Sequence, residues 1–362
     1  MLEKYANRFN IPGCFFIALV FPLVVLNVWV FVFVFNAFQG IFSSFIIAGF
    51  FALLLNHPIH FLNRRLNLSR GNSILMVFLS FIVIFALIAI ILVPAIVIRF
   101  SELVHILPDW IQSATLKADS LSNWTNNSKI VDNDRIFTNL SENFQNQLQG
   151  FLEGIPDFIF GTIGNILNIF FIFVLTIFFL SYGNSLLRNC LQSWFSPNLG
   201  VMIQKTLYRN FNSYILNQLI LATVLTVTMI PTLFILKAPF PLLFGLAIGI
   251  AGFIPFGAVV TILGISFILL LADFWTGLRV LVVVLLLDQI IENTLPPRLL
   301  GKLTGLNPIV ILFSVMVGAT LGDFIGLITA VPIAATIKSL MLTLNQAETE
   351  ELDKIPSELP NR

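Results

Sequence analysis

Uninterrupted apolar runs of about twenty residues constrain this chain more than any motif in it, because a run of that length matches the hydrocarbon thickness of a bilayer. Such runs cover 14–35, 74–98, 155–180 and 214–236, with a shorter one over 41–55. Only 10% of the 362 residues are Asp, Glu, Lys or Arg, against about a quarter in an average soluble domain. The 38 Phe side chains would aggregate on a wetted surface, so the apolar excess is read as facing lipid. Nineteen basic and eighteen acidic residues nearly cancel, which leaves no bulk field for nucleic acid and no acidic excess that favours disorder. The expected class is an all-α, polytopic membrane protein with about eight membrane segments.

The start of the chain, Lys4 and Arg8 ahead of 14–35, imitates a signal peptide. Its apolar run is too long for one, and Asn36-Ala37-Phe38-Gln39-Gly40 is no small-x-small cleavage site, so an uncleaved first span is expected. With the N-terminus in the cytosol, Lys4, Arg8, Arg64, Arg65, Arg70, Arg188, Lys205, Arg209, Arg298, Lys302, Lys338, Lys354 and Arg362 fall inside, which is 13 of the 19 basic residues. That bias follows the positive-inside rule and sets both termini in the cytosol. Cys14 and Cys190 then lie near the reducing side, where free thiols are expected.

The segments divide the chain into membrane spans over 1–98, a polar extracytoplasmic helical arm over 99–154, and further spans over 155–236 with an amphipathic connector at 184–212. A transport core covers 237–345 and an acidic tail 346–362. In the arm, Leu103, Ile106, Leu107, Trp110 and Ala114, then Phe137, Leu140, Phe144 and Leu148, recur at helical spacing around a turn near 120–134. The connector reads equally as interfacial helices on anionic lipid or as a link packed under the bundle.

Two long apolar stretches in the core are broken in the middle. The first enters at Pro241 and breaks at Gly252, Pro255 and Gly257; the second enters at Pro308 and breaks at Gly318, Gly322 and Gly326 before Pro332. Each arm of the first, at about 15 residues or some 22 Å, is too short to cross alone. Backbone groups freed at a break cannot face lipid and must be held by protein or line a wet cavity. Paired interrupted segments of opposite orientation mark inverted repeats with a transport site between them. The plainer reading is that the glycines only let helices pack closely.

The few charges in or near apolar surroundings are Asp273, Asp288, Glu292, Asp323, Arg298 and Lys302. An intramembrane carboxylate is costly and is a functional candidate by default. Asp288 and Glu292, four apart, share a helix face with Gln289 and Asn293 alongside. Two such carboxylates repel, and they settle by sharing a proton or a cation, the chemistry of a coupled carrier. The alternative places Asp288 at the interface, with Glu292 paired to Arg298. Asp323, next to Gly322, is a candidate cap for the returning arm. His57 and His60 have no third ligand in view, and no metal or other cofactor is expected. Walker loops, Gly-x-Ser-x-Gly and His-Glu-x-x-His are absent from the sequence, so neither ATP-driven transport nor a familiar hydrolase is indicated.

The segment Gly252-Phe253-Ile254-Pro255-Phe256-Gly257, then Gln289 to Pro308 with Glu292-Asn293, Pro296, Arg298, Gly301-Lys302 and Gly305-Leu306-Asn307-Pro308, and the Gly318/Gly322/Gly326/Pro332 series resemble the AI-2E (autoinducer-2 exporter-like) transporter family. Tyr214-Ile215-Leu216-Asn217-Gln218 resembles the start of that family's central span, with Asn217 where the family usually has Gly. The resemblance implies a non-enzymatic, multi-pass transporter of the bacterial plasma membrane and a homo-oligomer. It also implies either export of a small solute or exchange of a cation for protons. An oligomeric channel and a non-transporting scaffold are the alternatives. Expected partners are membrane lipid, a small-molecule or ion substrate and further copies of the chain, not nucleic acid.

Overall fold

The computed structural model describes residues 22–27, 29–30, 33–34, 37–124, 150, 166–300 and 306–352; at 115, 117–124, 166, 296–300 and 344–352 it describes the backbone alone. Every regular element among these is helical. The elements are α1 (Gln39–Leu66), α2 (Arg70–Trp124), α3 (Ile166–Trp194), α4 (Pro197–Ile235), α5 (Pro241–Ala251), α6 (Gly257–Ala272), α7 (Phe274–Leu300) and α8 (Pro308–Leu352). Six of them are long and apolar enough to cross a membrane, and α5 and α6 are the shorter apolar pair. The protein is a multi-pass membrane protein. The expected first span at 14–35 and the second half of the arm fall mostly or wholly outside the described residues.

Several helices run further than the apolar runs suggested. α1 continues past the apolar run at 41–55 through His57-Pro58-Ile59-His60 to Leu66, where Asn67 takes a left-handed φ of 50°. Ile59, 3% exposed, anchors the extension, and Arg64 and Arg65 sit favourably at the C-terminal end of the helix dipole. α2 holds 55 residues, about 80 Å, through Pro94 and Pro108. The span expected at 74–98 and the first half of the polar segment are therefore one helix, with no glycine after Gly71 to interrupt it. Likewise the connector expected at 184–212 is not a separate set of helices. α3 runs to Trp194, Phe195 and Ser196 turn the chain, and Pro197 opens α4 at its first position, where a missing N–H costs nothing.

Two apolar clusters organise the packing. Ala52, Leu55 and Ile59 of α1 meet Ile74 of α2 and Leu180 of α3. The larger cluster joins Leu221, Leu225, Met229 and Leu233 of α4, Leu243 and Ile248 of α5, Ile262 and Leu269 of α6, and Val280 and Val284 of α7. Leu103 of α2 enters it, and Trp110 lies 6.4 Å from Phe240, ring to ring. The extended part of α2 is thus fastened to the first hairpin. Large apolar side chains remain exposed along α2 and α8, the surface a bilayer covers.

Both broken stretches fold back. α5 and α6 are joined by a turn over 252–256, with Phe256 at a φ of 64°. α5, with 11 residues, spans about 16 Å, and α6, with 16, about 24 Å, so the first arm is shorter than the sequence suggested. In α8 the helical course fails at Gly322 and Asp323, and Asp323 has a φ of 47°. A Cβ added at Gly318 would lie 2.7 Å from that of Ala330 and would run into the Gly326 backbone. Residues eight apart are about 12 Å apart along a straight helix, so this contact requires two antiparallel arms reversing at 322–323.

Close packing explains part of the glycine pattern. A Cβ on Gly249 would stand 3.0 Å from the Thr226 Cβ and 3.1 Å from the Ala222 carbonyl oxygen of α4. Gly245 lies against the Ile230 backbone in the same way. These two glycines, four apart, let α5 sit backbone to backbone on α4. Gly264 has open space around its missing Cβ. Gly249→Val should therefore cost about 1–3 kcal/mol through overpacking and lower the melting temperature in detergent, while Gly264→Ala should leave it unchanged or slightly raised.

Candidate functional site

Helix α4 carries the polar residues around which the first hairpin is arranged. Its run of apolar residues is interrupted by Tyr214, Asn217 and Gln218, all at most 8% exposed. The Gln218 side-chain amide donates to the carbonyl oxygens of Gly252 at 3.2 Å and Phe253 at 3.1 Å. These belong to the turn where helical hydrogen bonding stops, so Gln218 supplies donors that lipid cannot. Asn217 in turn donates to the Gln218 side-chain oxygen at 3.2 Å, which orients the amide. The sequence pointed to the break and to its need for protection, but not to the residue that protects it. Two adjacent side-chain amides inside an apolar run were the available signal.

The carboxylates lie on α7. α6 and α7 are joined through Asp273, whose carboxylate accepts from the Thr276 N–H at 2.9 Å and caps α7. A Cβ on Gly277 would press into the Leu270 backbone, which sets the antiparallel register of the two helices at their closed end. Continuing that register by helical rise, about 20 Å along, brings Asp288 level with Val259 and Glu292 level with Pro255. Both carboxylates are therefore at the depth of the first break, the level of the Gln218 amide.

Asp288 is 0% exposed. With Gln289 beside it, neither of its oxygens reaches a donor at hydrogen-bonding geometry. Glu292 is half-buried and repels Asp288 electrostatically. The Asn217 side-chain oxygen and the Ser266 hydroxyl are also buried without a partner. Buried polar groups normally find partners, so an unsatisfied carboxylate at the level of this turn is a place suited to a proton or a small cation; Ser266, level with Leu281, lies about 10 Å further along α6.

The remaining expected residues are elsewhere. Asn293 is exposed and donates to the Gln289 carbonyl at 2.7 Å, within its own helix. Asp323, at the tip of the second hairpin, accepts from Gln39 of α1 at 2.6 Å, tying that tip to the start of α1. The return arm of α8 is held to α4 by Asn210, which donates to Thr336 at 3.4 Å and Ser339 at 3.3 Å. Gly252, Pro255 and Gly257 form or border the first turn; Gly322 forms the second, between Gly318 and Gly326. The Arg298 side chain, and with it the alternative in which it pairs with Glu292, lies outside the described residues. Cys190 is an exposed free thiol.

A family model described as AI-2E family transporter matches residues 19–346. A Synechocystis protein named "Putative transport protein sll0060" is 31% identical over 90% of this chain and 94% of its own length. Another from the same organism, named "Putative transport protein sll0063", is 32% identical over 94% of this chain and 87% of its own. A more distant relative, 24% identical over 78% of this chain and 84% of its own, is named "Sodium-lithium/proton antiporter" and comes from Halobacillus andaensis.

Removing the Gln218 amide isolates its role at the turn. Gln218→Leu keeps the bulk but leaves the Gly252 and Phe253 carbonyls unpaired. It should destabilise the protein by about 1–3 kcal/mol, read as a lower melting temperature, with Gln218→Glu no better because it has lost the donor.

Proposed function

The chain belongs to the AI-2E transporter family, and we propose that it is a secondary transporter in which Asp288 and Glu292 couple protons to the movement of a cation or small solute. The observation that carries this reading is Asp288 itself, a buried carboxylate in a membrane span, with Gln289 beside it but no donor at hydrogen-bonding geometry, level with the break between α5 and α6. Structure alone gains nothing from such a group, and a carrier that binds a proton or cation in turn needs one. Cation–proton exchange is the form the site favours, because the unpartnered groups at this level are oxygens, those of Asp288 and of the Asn217 side chain, and a relative's name includes that activity. Export of a small solute driven by the same protonation is the other form of this reading. In it, Asp288 and Glu292 keep their role and the cargo differs.

A working cycle follows from this chemistry. With the carboxylates unprotonated, their charge and the neighbouring oxygens attract a cation to the level of the first turn. Proton binding neutralises them and releases the cation on the side then open. The short α5–α6 hairpin, pinned by Gln218 at its turn, and the α8 hairpin, pinned by Gln39 and Asn210, are the elements whose displacement would alternate access. The placement proposed for the protein is the bacterial plasma membrane, with cytosolic termini and self-assembly into an oligomer.

In proteoliposomes with an imposed pH gradient, added sodium or lithium should collapse the gradient for the unaltered protein. Asp288→Asn or Glu292→Gln should slow that collapse at least about tenfold with the melting temperature preserved. Coupled exchange at the normal rate in both variants would remove the carboxylates from the mechanism. Orientation is tested at Cys190: in intact cells a membrane-impermeant maleimide should leave it unlabelled, and inverted membrane vesicles should expose it to full labelling.

A further inference from the structure

Away from the carboxylates, a cavity of about 980 Å³ opens between α1, α3, α4 and the return arm of α8. Its walls are mostly apolar, with Phe50, Phe179, Phe211, Ile328 and Pro332 among them. Its charged lining is of one sign, made of Arg70, Arg188 and Lys205, with no Asp or Glu in it. The bias extends beyond the lining: residues 4–101 and 158–272 contain no Asp or Glu at all. Arg188 and Lys205 stand on the facing ends of α3 and α4, which Gln204 bridges by donating to the Asn184 side-chain oxygen at 2.6 Å. Neither has an ion-pair partner among the described residues.

A cavity between membrane helices with apolar walls and unpaired cations at one end is matched by one kind of molecule, an acyl chain carrying an anionic headgroup. A free metal cation would meet repulsion from Arg188 and Lys205. A small hydrophilic anion would satisfy the cations but leave the aromatic walls without a partner. Basic pockets between spans recognise anionic lipid headgroups by this combination. We propose that this cavity is a binding site for an anionic phospholipid of the surrounding leaflet, with the phosphate held by Arg188 and Lys205 and an acyl chain lying against Phe50, Phe211 and Ile328. The lipid would also bridge α1 and α3 to the return arm of α8, and so bear on the second hairpin. Tyr214 borders both regions, but the site includes none of Asp288, Glu292, Asn217 and Gln218 and stands whether or not those carboxylates couple transport.

The test is lipid retention by the purified full-length protein, measured by native mass spectrometry with dioleoylphosphatidylglycerol and dioleoylphosphatidylcholine at equal concentration. The unaltered protein should retain the anionic lipid about tenfold over the zwitterionic one. The double variant Arg188→Gln/Lys205→Gln should bring that ratio close to one. Arg209→Gln, an exposed change on α4 outside the lining, should keep it. Glycerol phosphate, the headgroup chemistry without a chain, should not displace the lipid. Equal retention of both lipids, an unchanged preference in the double variant, an equal loss in Arg209→Gln, or displacement by glycerol phosphate would each overturn the proposal. If the double variant fails to fold, Arg188→Gln and Lys205→Gln are read singly, each expected to lower the ratio about threefold and each overturning the proposal if it does not.

Discussion

Backbone groups released from a helix inside a membrane have nowhere to go but to other protein groups, and the architecture follows from where this chain meets that requirement. At the first hairpin, the turn over 252–256 frees carbonyls at Gly252 and Phe253, and the Gln218 amide takes both. That interaction fixes the hairpin's turn on α4. With the tip fixed, Gly245 and Gly249 seat the first arm against the backbone of the same helix. The second arm then leads through Asp273 into α7 and returns Asp288 to the level at which the chain was broken. Helix α4 is thus the fixed element, since α3, α5, α7 and α8 all pack on it.

The second hairpin meets the same requirement differently. Its reversal is confined to Gly322 and Asp323, with Gly318 and Gly326 bringing the arms into contact on either side. Its tip is held by Gln39, near the start of the described part of the chain, and its return arm by Asn210. The first hairpin is tied at its turn to α4 and along its arms to α2, and the second is tied across to α1. An event at the Asp288 level can therefore reach the N-terminal helices through α4, through the packing of Leu103 and Trp110 of α2 on the first hairpin, or through the Gln39–Asp323 contact and the return arm behind it.

Much of this was legible in the sequence, and the limits have physical causes. Hydrophobic run length located the spans because lipid demands about the same length from each. Gly and Pro located both breaks because they are the residues a helix tolerates least. Helix ends were less legible: α1, α2, α3 and α4 all run past their apolar stretches, since a helix emerging from lipid continues until its own residues stop it. Pro58, Pro94 and Pro108 did not stop theirs. Of the candidate site, Asp288 and Glu292 stood out as carboxylates in apolar surroundings, and their shared level with Pro255 and Val259 needed only the register of one helix pair. Gln218, Gln39 and Asn210 did not stand out, because a side-chain amide is recognised as a fastener only when the distant backbone or carboxylate that it serves is known.

The distribution of charge separates two tasks that the same membrane domain carries. The segments 4–101 and 158–272, which include α1, the early part of α2 and all of α3 to α6, have no carboxylate, whereas α7 holds two at the depth of the first break. Negative charge at mid-membrane is expensive, so a chain that excludes it from most of its spans and leaves Asp288 and Glu292 on one face of α7 and Asp323 at the tip of the second hairpin has few places at which a cation could be held. Arg70, Arg188 and Lys205 do the reverse: they line the cavity between α1, α3, α4 and the return arm of α8, where a cation would be repelled. Helix α4 thus borders both regions, with Asn217 and Gln218 at the first break and Lys205, Phe211 and Tyr214 in the cavity wall, so that in the proposed reading movement of the hairpins against α4 would change both together.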